Sequence, residues 1–390
     1  MTPQARTQAA IELLDAIIAA AQESGAAADT IIARYFAARR YAGSKDRRAV
    51  RDMVYEAIRH AGGPPASGRA AMLALAASDP VLAASFDGSA HGPAPIVPGE
   101  PVAKAGVAPD WLIERLLGSG IDAAEQAGLI DRAPLDIRLN PLRPGDTADL
   151  GAPIAGLPFG RRLASGTQVD TLDAYRAGAI EVQDAGSQIV TLAARAMPGQ
   201  RVLDLCAGAG GKTLALAAAM ANRGTILASD ADRARLSRLA PRAERAGVTI
   251  VETRLLDGGR ETDALADWAG SADTVLIDAP CSGTGTWRRN PEARWRLTPV
   301  RLAKLVETQR RLLDVGAALV RPGGALVHIV CSLLDEEGAG QVAAFLAANR
   351  DWAADTLDLP AGRPHGAGLR LTPAHDATDG FFVARLKRAC

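Results

Sequence analysis

The sequence predicts an α/β chain. A Rossmann-like domain on a mostly parallel seven-stranded sheet (185–390) follows an all-α domain (1–130), and a small α+β subdomain (131–184) joins them. Three observations predict it. From Arg201 onward short apolar runs alternate with helical patterns, which builds a parallel sheet covered by helices on both faces. From Thr7 to Arg59 apolar residues recur only at helical spacing. Between Pro134 and Asp184 the period shifts towards two, between Pro- and Gly-rich turns.

In order along the chain, the helical part is marked by Ile11, Leu14 and Ile18, then Ile32, Tyr35 and Phe36, then Val50, Met53, Val54 and Ile58. Gly62-Gly-Pro-Pro opens a looser alanine-rich stretch, and residues 92–99 read as a connection. Residues 109–116 read as a short helix with Asp110 serving its amino end. Strands are expected at 135–139, 167–172 and 179–183, and Ser187 stands where it could cap a helix running to Ala196. The sheet domain then reads as strands at 202–205, 226–228, 248–251, 274–277 and 325–330. Its helices start at Thr213 and span 231–246 and 299–320, and strands at 369–371 and 381–386 close an edge.

The 390 residues are 48% hydrophobic and carry a formal charge of zero, so there is ample core for each domain and no global basic field. Charge is uneven locally. Residues 34–59 carry a net +5 and residues 288–311 a net +6, faces that could follow a phosphate backbone or simply be solvated. The amino end has no apolar signal core and no run long enough for a membrane span, so a cytoplasmic protein without a membrane partner is expected. Cys206, Cys281, Cys331 and Cys390 show neither metal-ligand spacing nor a disulfide framework, and read as thiols with no metal.

Chemistry gathers at Val202-Leu-Asp-Leu-Cys-Ala-Gly-Ala-Gly-Gly-Lys-Thr-Leu214, a strand, a glycine-rich loop and a helix start. A phosphate-cradling loop would need glycine at Cys206, and the dinucleotide fingerprint would need glycine at Thr213. What survives is a loop that holds a nucleoside without gripping a phosphate chain. Asp230, ending the next strand, is where such folds bind ribose hydroxyls, which makes S-adenosyl-L-methionine the leading candidate. Parallel strands deliver their carboxyl ends to one rim, so Cys281 after the fourth strand and Cys331 after the fifth should approach each other. A buried cysteine is often only apolar filler, but Cys281 sits in an irregular Pro-Cys-Ser-Gly-Thr-Gly loop suited to binding.

Together with that loop, Asp278-Ala-Pro-Cys-Ser-Gly-Thr-Gly-Thr286, Val330-Cys-Ser-Leu333, Val182-Gln-Asp-Ala-Gly-Ser-Gln188 and Asp379-Gly-Phe-Phe382 closely resemble the motifs of the Sun/Nop-type RNA cytosine-C5 methyltransferases. The helical start, with Lys45-Asp-Arg-Arg and Val54-Tyr-Glu-Ala-Ile-Arg59, resembles the NusB-like RNA-binding domain of the bacterial ribosomal-RNA branch. One departure is visible, Gly208-Ala209 where the family usually has Ala-Pro.

The resemblance implies a methyltransferase acting on cytosine C5 in RNA, 16S ribosomal RNA by its NusB-like start, and working as a monomer. It implies Cys331 as the nucleophile that adds to carbon 6, Cys281 as the aid to release, and Asp278 as the group that holds the base near N3. For the cofactor it implies the loop Cys206, Ala207, Gly208, Ala209, Gly210, Gly211 and Lys212 at the methionine part. Asp230 falls at the ribose and Asp257 at the adenine, with Asp278 nearby. Lys212 could instead cap or solvate its helix, and Asp257 could be a turn residue before Gly258. The carbon 5 proton could leave to Cys281 or to water. Arg288, Arg289, Arg294 and Arg296 would take flanking phosphates, and Trp287 or Trp295 would stack on a base or belong to the core. An RNA-binding assembly factor without turnover is the rival reading, and retention of both thiols and Asp278 argues against it.

Overall fold

The computed structural model describes residues 1–23 and 25–390. Two compact units form, one from Met1–Arg132 with Thr286–Pro299, the other from Ala133–Gly285 with Val300–Cys390. This differs from the sequence division twice: residues 286–299 fold with the helical unit, and residues 133–184 belong to the sheet unit rather than standing alone.

In the helical unit, α1 (Pro3–Gln22), α2 (Ala28–Ala37) and α3 (Ser44–His60) bury the faces their periodicity marks, and α4 (Gly68–Ala76) forms within the stretch read as loose, with Leu13, Leu14, Ile17, Val50, Val54, Ile58 and Met72 in the core. Thr2 caps α1 by accepting from Ala5 N–H. Gly68 is required by closeness, since a Cβ there would lie 2.2 Å from the Ile11 carbonyl oxygen. Asp110 makes no capping bond and instead pairs with Lys104 at 3.3 Å.

Residues 286–299 correct an expectation. Trp287 is fully buried and Trp295 packs into the helical core, so neither offers a face to a base. Arg294 is also fully buried, and its guanidinium donates to the carbonyls of Pro291, Ile58, Arg59 and Ala61. These last three belong to the final turn of α3 and just beyond, where a helix leaves carbonyls without intrahelical donors. Arg296 donates to Gly25 O and Ala26 O, and Arg288 is buried. The sequence shows a basic cluster; in the fold Arg294 closes the end of α3 and Arg296 holds the connection between α1 and α2.

In the sheet unit, β1 (Leu135–Leu139), β2 (Ala152–Ile154), β3 (Leu157–Leu163) and β4 (Ile180–Val182) make a small antiparallel sheet in the order β2-β3-β1-β4. Residues 167–172 are not the expected strand. Thr171 donates to Gln168 O and Leu172 N–H to Val169 O, which winds Val169–Thr171 into a 3₁₀ turn. The missed strands are β2 and β3, where Pro153, Pro158 and Gly160 read as breakers.

The main sheet holds β5 (Arg201–Asp204), β6 (Thr225–Asp230), β7 (Val251–Leu255), β8 (Ala272–Asp278), β9 (Val320–Val330), β10 (Trp352–Asp355), β11 (Arg363–His365), β12 (Gly368–Leu371) and β13 (Phe381–Arg388). It has nine strands rather than seven, because β10 and β11 join the antiparallel side. β7-β6-β5-β8-β9 are parallel, and β13 runs antiparallel against β9. The helix expected over 231–246 is split into Arg233–Leu236 and Leu239–Ala246, and the next strand begins at Val251. The reason is local: Gly247 turns left-handed and Val248 N–H bonds back to Ala243 O, so 248–250 close the helix.

The chain leaves β5 for β6 on one side and returns to β8 on the other. This reversal opens a crevice at the carboxyl ends of β5 and β8. Asp204 and Asp278 end those two strands.

Candidate active site

A cleft of about 880 Å³ opens at this reversal, within the size range of small-molecule sites. Leu205, Cys206, Asp230, Gly258, Asp278, Pro280, Cys281 and Cys331 line it, with Arg301, Leu305 and Thr308 from the helix Pro299–Leu319.

The two thiols expected to converge do so, with Cys281 Sγ and Cys331 Sγ 3.4 Å apart. Each follows a parallel strand, and Gly285 N–H donates to Cys331 O, tying one loop to the other. Gly285 has no room for a side chain: a Cβ would lie 2.1 Å from Gly380 O, which is why Asp379-Gly380-Phe381-Phe382 backs this loop. The hydrogen bond to Cys331, then burial and the Cys331 charge, push the Cys281 thiol well up. Its thiol is thus biased towards keeping its proton beside the Cys331 sulfur.

Lys212 leaves the glycine loop and reaches the same rim. Its Nζ donates to Asp278 Oδ2 at 2.6 Å and lies 5.6 Å from the Phe381 ring centroid. Burial opposes its charge, but the charge and hydrogen bond of Asp278, with Cys331 beyond, outweigh burial and raise its pKa. Lys212 thus neither caps nor solvates its helix; it is an ammonium between Asp278 and the thiols.

The loop itself is built by backbone geometry. Gly210 sits at φ +84°, before the helix Gly211–Ala219, and a Cβ there would lie 2.0 Å from Leu239 Cδ1. Gly208, at φ +55°, leaves space filled by the Arg235 guanidinium, with a Cβ position 2.6 Å from its nitrogen. Ala209 is pinned where the family usually has proline: Arg242 donates to its carbonyl at 2.6 Å and is held in turn by Glu181 at 2.9 Å. Around Gly211 a Cβ would meet nothing within 4 Å.

Asp230 lines the cleft with one oxygen accepting from Gly208 N–H and the other from Asp232 N–H, both at 2.7 Å, leaving lone pairs on each. Asp257 is exposed and is not among the cleft-lining residues, although its neighbours Leu256 and Gly258 are; its carbonyl accepts from Arg260 N–H in a turn. Ala207, the glycines and Lys212 form the loop beside the cleft, while Cys206 lines it. Burial raises the Cys206 thiol.

These residues fit an amino-acid nucleoside such as S-adenosyl-L-methionine. Asp204 is fully buried; one oxygen accepts from Thr213 at 2.7 Å and the other has no partner, the unmet acceptor that an ammonium group would satisfy. Burial lifts its pKa to about 7. The open side of Gly211, at the first turn of its helix, suits a carboxylate. Among the described residues no cluster of three metal-ligating side chains occurs, and no helix is long and apolar enough to cross a membrane.

The sequence reading missed what lies beneath the thiols. The fully buried Glu337 accepts from Ser282 N–H at 2.8 Å, Gln309 Nε2 at 2.9 Å, Ser332 Oγ at 2.5 Å, and Ser282 Oγ. The Cys-Ser pair occurring at both 281 and 331 was the signal available. Asp184, not Ser187, caps the helix Ala185–Leu192, accepting from Ser187 N–H at 3.1 Å, while Gln188 reaches Ile137 O and Gln183 O. Gln188 thus ties its helix to β1 of the small sheet.

The family described as 16S rRNA methyltransferase RsmB/F matches residues 190–387. The chain is 35% identical over 300 residues to the probable ribosomal RNA small subunit methyltransferase B of Synechocystis, covering 72% of this chain and 67% of that one. The fold matches the crystal structure of PH0851 at a TM-score of 0.77 and 24% identity, covering 100% of this chain and 99% of that one. It also matches NSun6 from Pyrococcus horikoshii, solved with SFG, at 0.52 and 26%, covering 60% and 58%. By its match to the family model and its identity to these relatives, the chain belongs to the RsmB/F family of S-adenosyl-L-methionine-dependent rRNA methyltransferases.

Proposed function

We propose that this protein methylates carbon 5 of a cytosine in RNA, with 16S ribosomal RNA as its substrate, through a covalent bond between Cys331 and carbon 6. The observation that carries the reading is the pair of thiols 3.4 Å apart, beside a Lys212–Asp278 pair and in one cleft with Asp230. The family's substrate supports the choice of RNA.

Carbon 5 of cytosine is a poor nucleophile. Addition of the Cys331 thiolate to carbon 6 forms an S–C bond and moves the 5,6 electron pair onto carbon 5, and splitting the reaction this way lowers the barrier. Lys212 and the Cys281 S–H both favour negative charge on Cys331 before attack. A proton from solvent adds to N3 as the ring becomes an enamine and returns to solvent when the 5,6 double bond is restored; Asp278, held by Lys212 through one oxygen, accepts a hydrogen bond from that N3–H. Bound S-adenosyl-L-methionine supplies the electrophilic methyl group. Afterwards the carbon 5 proton passes to water, its electron pair restores the 5,6 double bond, and the C6–S bond breaks to return Cys331 as a thiolate. Cys281, protonated and in contact, stabilises that leaving sulfur by donating to it. The target base must be unpaired or flipped out to reach the cleft.

Incubation with methyl-labelled cofactor and 16S RNA tests the reading. Label should appear in 5-methylcytosine and vanish with Cys331→Ala; label that persisted in that variant would refute the assignment.

A further inference from the structure

The mechanism above uses both thiols but not the carboxylate beneath them. Cys281 and Cys331 sit on separate loops, joined by the Gly285 N–H bond to Cys331 O and by Ser282 Oγ lying 3.1 Å from Ser332 Oγ. Glu337 also connects them. Its carboxylate is fully buried and takes four hydrogen bonds: two from Ser282, the residue after Cys281; one from Ser332, the residue after Cys331; and one from Gln309. Gln309 also donates to Pro280 O at 3.0 Å, on the other side of Cys281. Thr284 completes the frame, accepting from Leu333 N–H at 2.8 Å and lying 3.2 Å from Ser332 Oγ. An ionised carboxylate offers about four lone-pair sites, so this one is saturated with donors. Its desolvation cost is offset by these four donors, which an apolar residue of like volume would leave buried and unpaired.

We propose that Glu337 is a positioning residue for the reaction: by gripping the residue that follows each thiol, it sets the distance at which Cys281 meets Cys331, and release of the methylated base depends on it. The inference rests on the proposed roles of the two thiols. For bond formation at carbon 6 the Lys212 charge still favours the Cys331 thiolate when Cys281 is displaced, whereas the proposed aid to departure of that sulfur is the Cys281 S–H itself. Loosening the clamp therefore slows release more than transfer.

Two readouts on the full chain test it, with Glu337→Ala, Glu337→Gln and Ser282→Ala. The first is independent of methylation: diamide oxidises neighbouring thiols to a disulfide, and peptide mapping follows the Cys281–Cys331 link. Bridging should slow about tenfold or more in Glu337→Ala, by several-fold in Ser282→Ala, and recover in Glu337→Gln, which keeps the shape and an acceptor oxygen. The second is the RNA: Glu337→Ala should transfer methyl groups in a single turnover yet accumulate a denaturation-stable protein–RNA adduct. Wild-type bridging in Glu337→Ala would overturn the proposal. So would equal loss of transfer and release, the sign of a merely structural role. If Glu337→Ala does not fold, Ser282→Ala decides on the same criteria, and bridging in Glu337→Gln no slower than in wild type is the expected control. Failure of the thiol chemistry itself would show separately, as methylation surviving Cys331→Ala.

Discussion

Replacing Arg294 by Met separates a basic residue that binds RNA from one that holds the fold. The substitution keeps most of the apolar stem and removes the guanidinium. Four carbonyls then lose this donor: Pro291, Ile58 at 2.6 Å, Arg59 at 3.2 Å and Ala61 at 2.9 Å, of which Ala61 keeps Trp295 Nε1 at 3.3 Å. A hydrogen bond to a charged group contributes roughly 1.5–3 kcal/mol, and a buried carbonyl left unmet costs about 1–3 kcal/mol. The four share one group, and burial has already drawn its pKa down to about 9, with the charge of Arg59 adding to the effect. Desolvation of that cation offsets part of the gain, so a net loss of about 4 kcal/mol is expected rather than the full sum. For a unit of this size about 3 °C is lost per kcal/mol, so the melting temperature of the helical unit should fall by roughly 10–12 °C. Calorimetry measures this, and RNA affinity of the folded variant against salt measures the alternative. Each phosphate that the protein ceases to neutralise lowers the salt slope by about 0.7–0.9. An unshifted melting temperature together with a lowered slope would refute the structural reading.

Three further outcomes are expected. Cys281→Ala should leave the enzyme joined to RNA as an adduct visible on denaturing gels, and free turnover would contradict the release role. Asp204→Asn should alter the pH dependence of stability: burial raises the wild-type carboxyl to about 7, so the folded state binds the extra proton between about pH 4 and 7, and wild-type stability declines as pH rises through that window. The melting temperature of the variant minus that of wild type should therefore grow from pH 5 to pH 7, and a flat difference would show the carboxyl to be unperturbed. Arg242→Ala should release the Ala209 carbonyl and leave Glu181 with Arg245 alone, weakening binding of S-adenosylhomocysteine by about tenfold, or about 1.4 kcal/mol, in titration calorimetry. Unchanged affinity would mean that the loop does not need the strut.

By itself the sequence determined what is written in local pattern: helices from their apolar spacing, parallel strands from their runs, and the loop from its glycines. It also determined that Asp204, Asp278, Cys281 and Cys331 stand at or just after carboxyl ends, because a parallel sheet sends all such ends to one rim. Only the tertiary structure decided what those residues touch. Lys212 could be a helix cap in sequence, and Asp278, 66 positions away, makes it an ion-pair partner. Arg294 carries the charge of a surface residue, and the open end of α3 takes it inside. Glu337 has no motif of its own; it matters because Ser282, 55 positions earlier, needs an acceptor where water cannot reach. Periodicity reports which face of an element is apolar, whereas partners for buried polar atoms come from whichever segment the fold brings near, and no spacing along the chain records that.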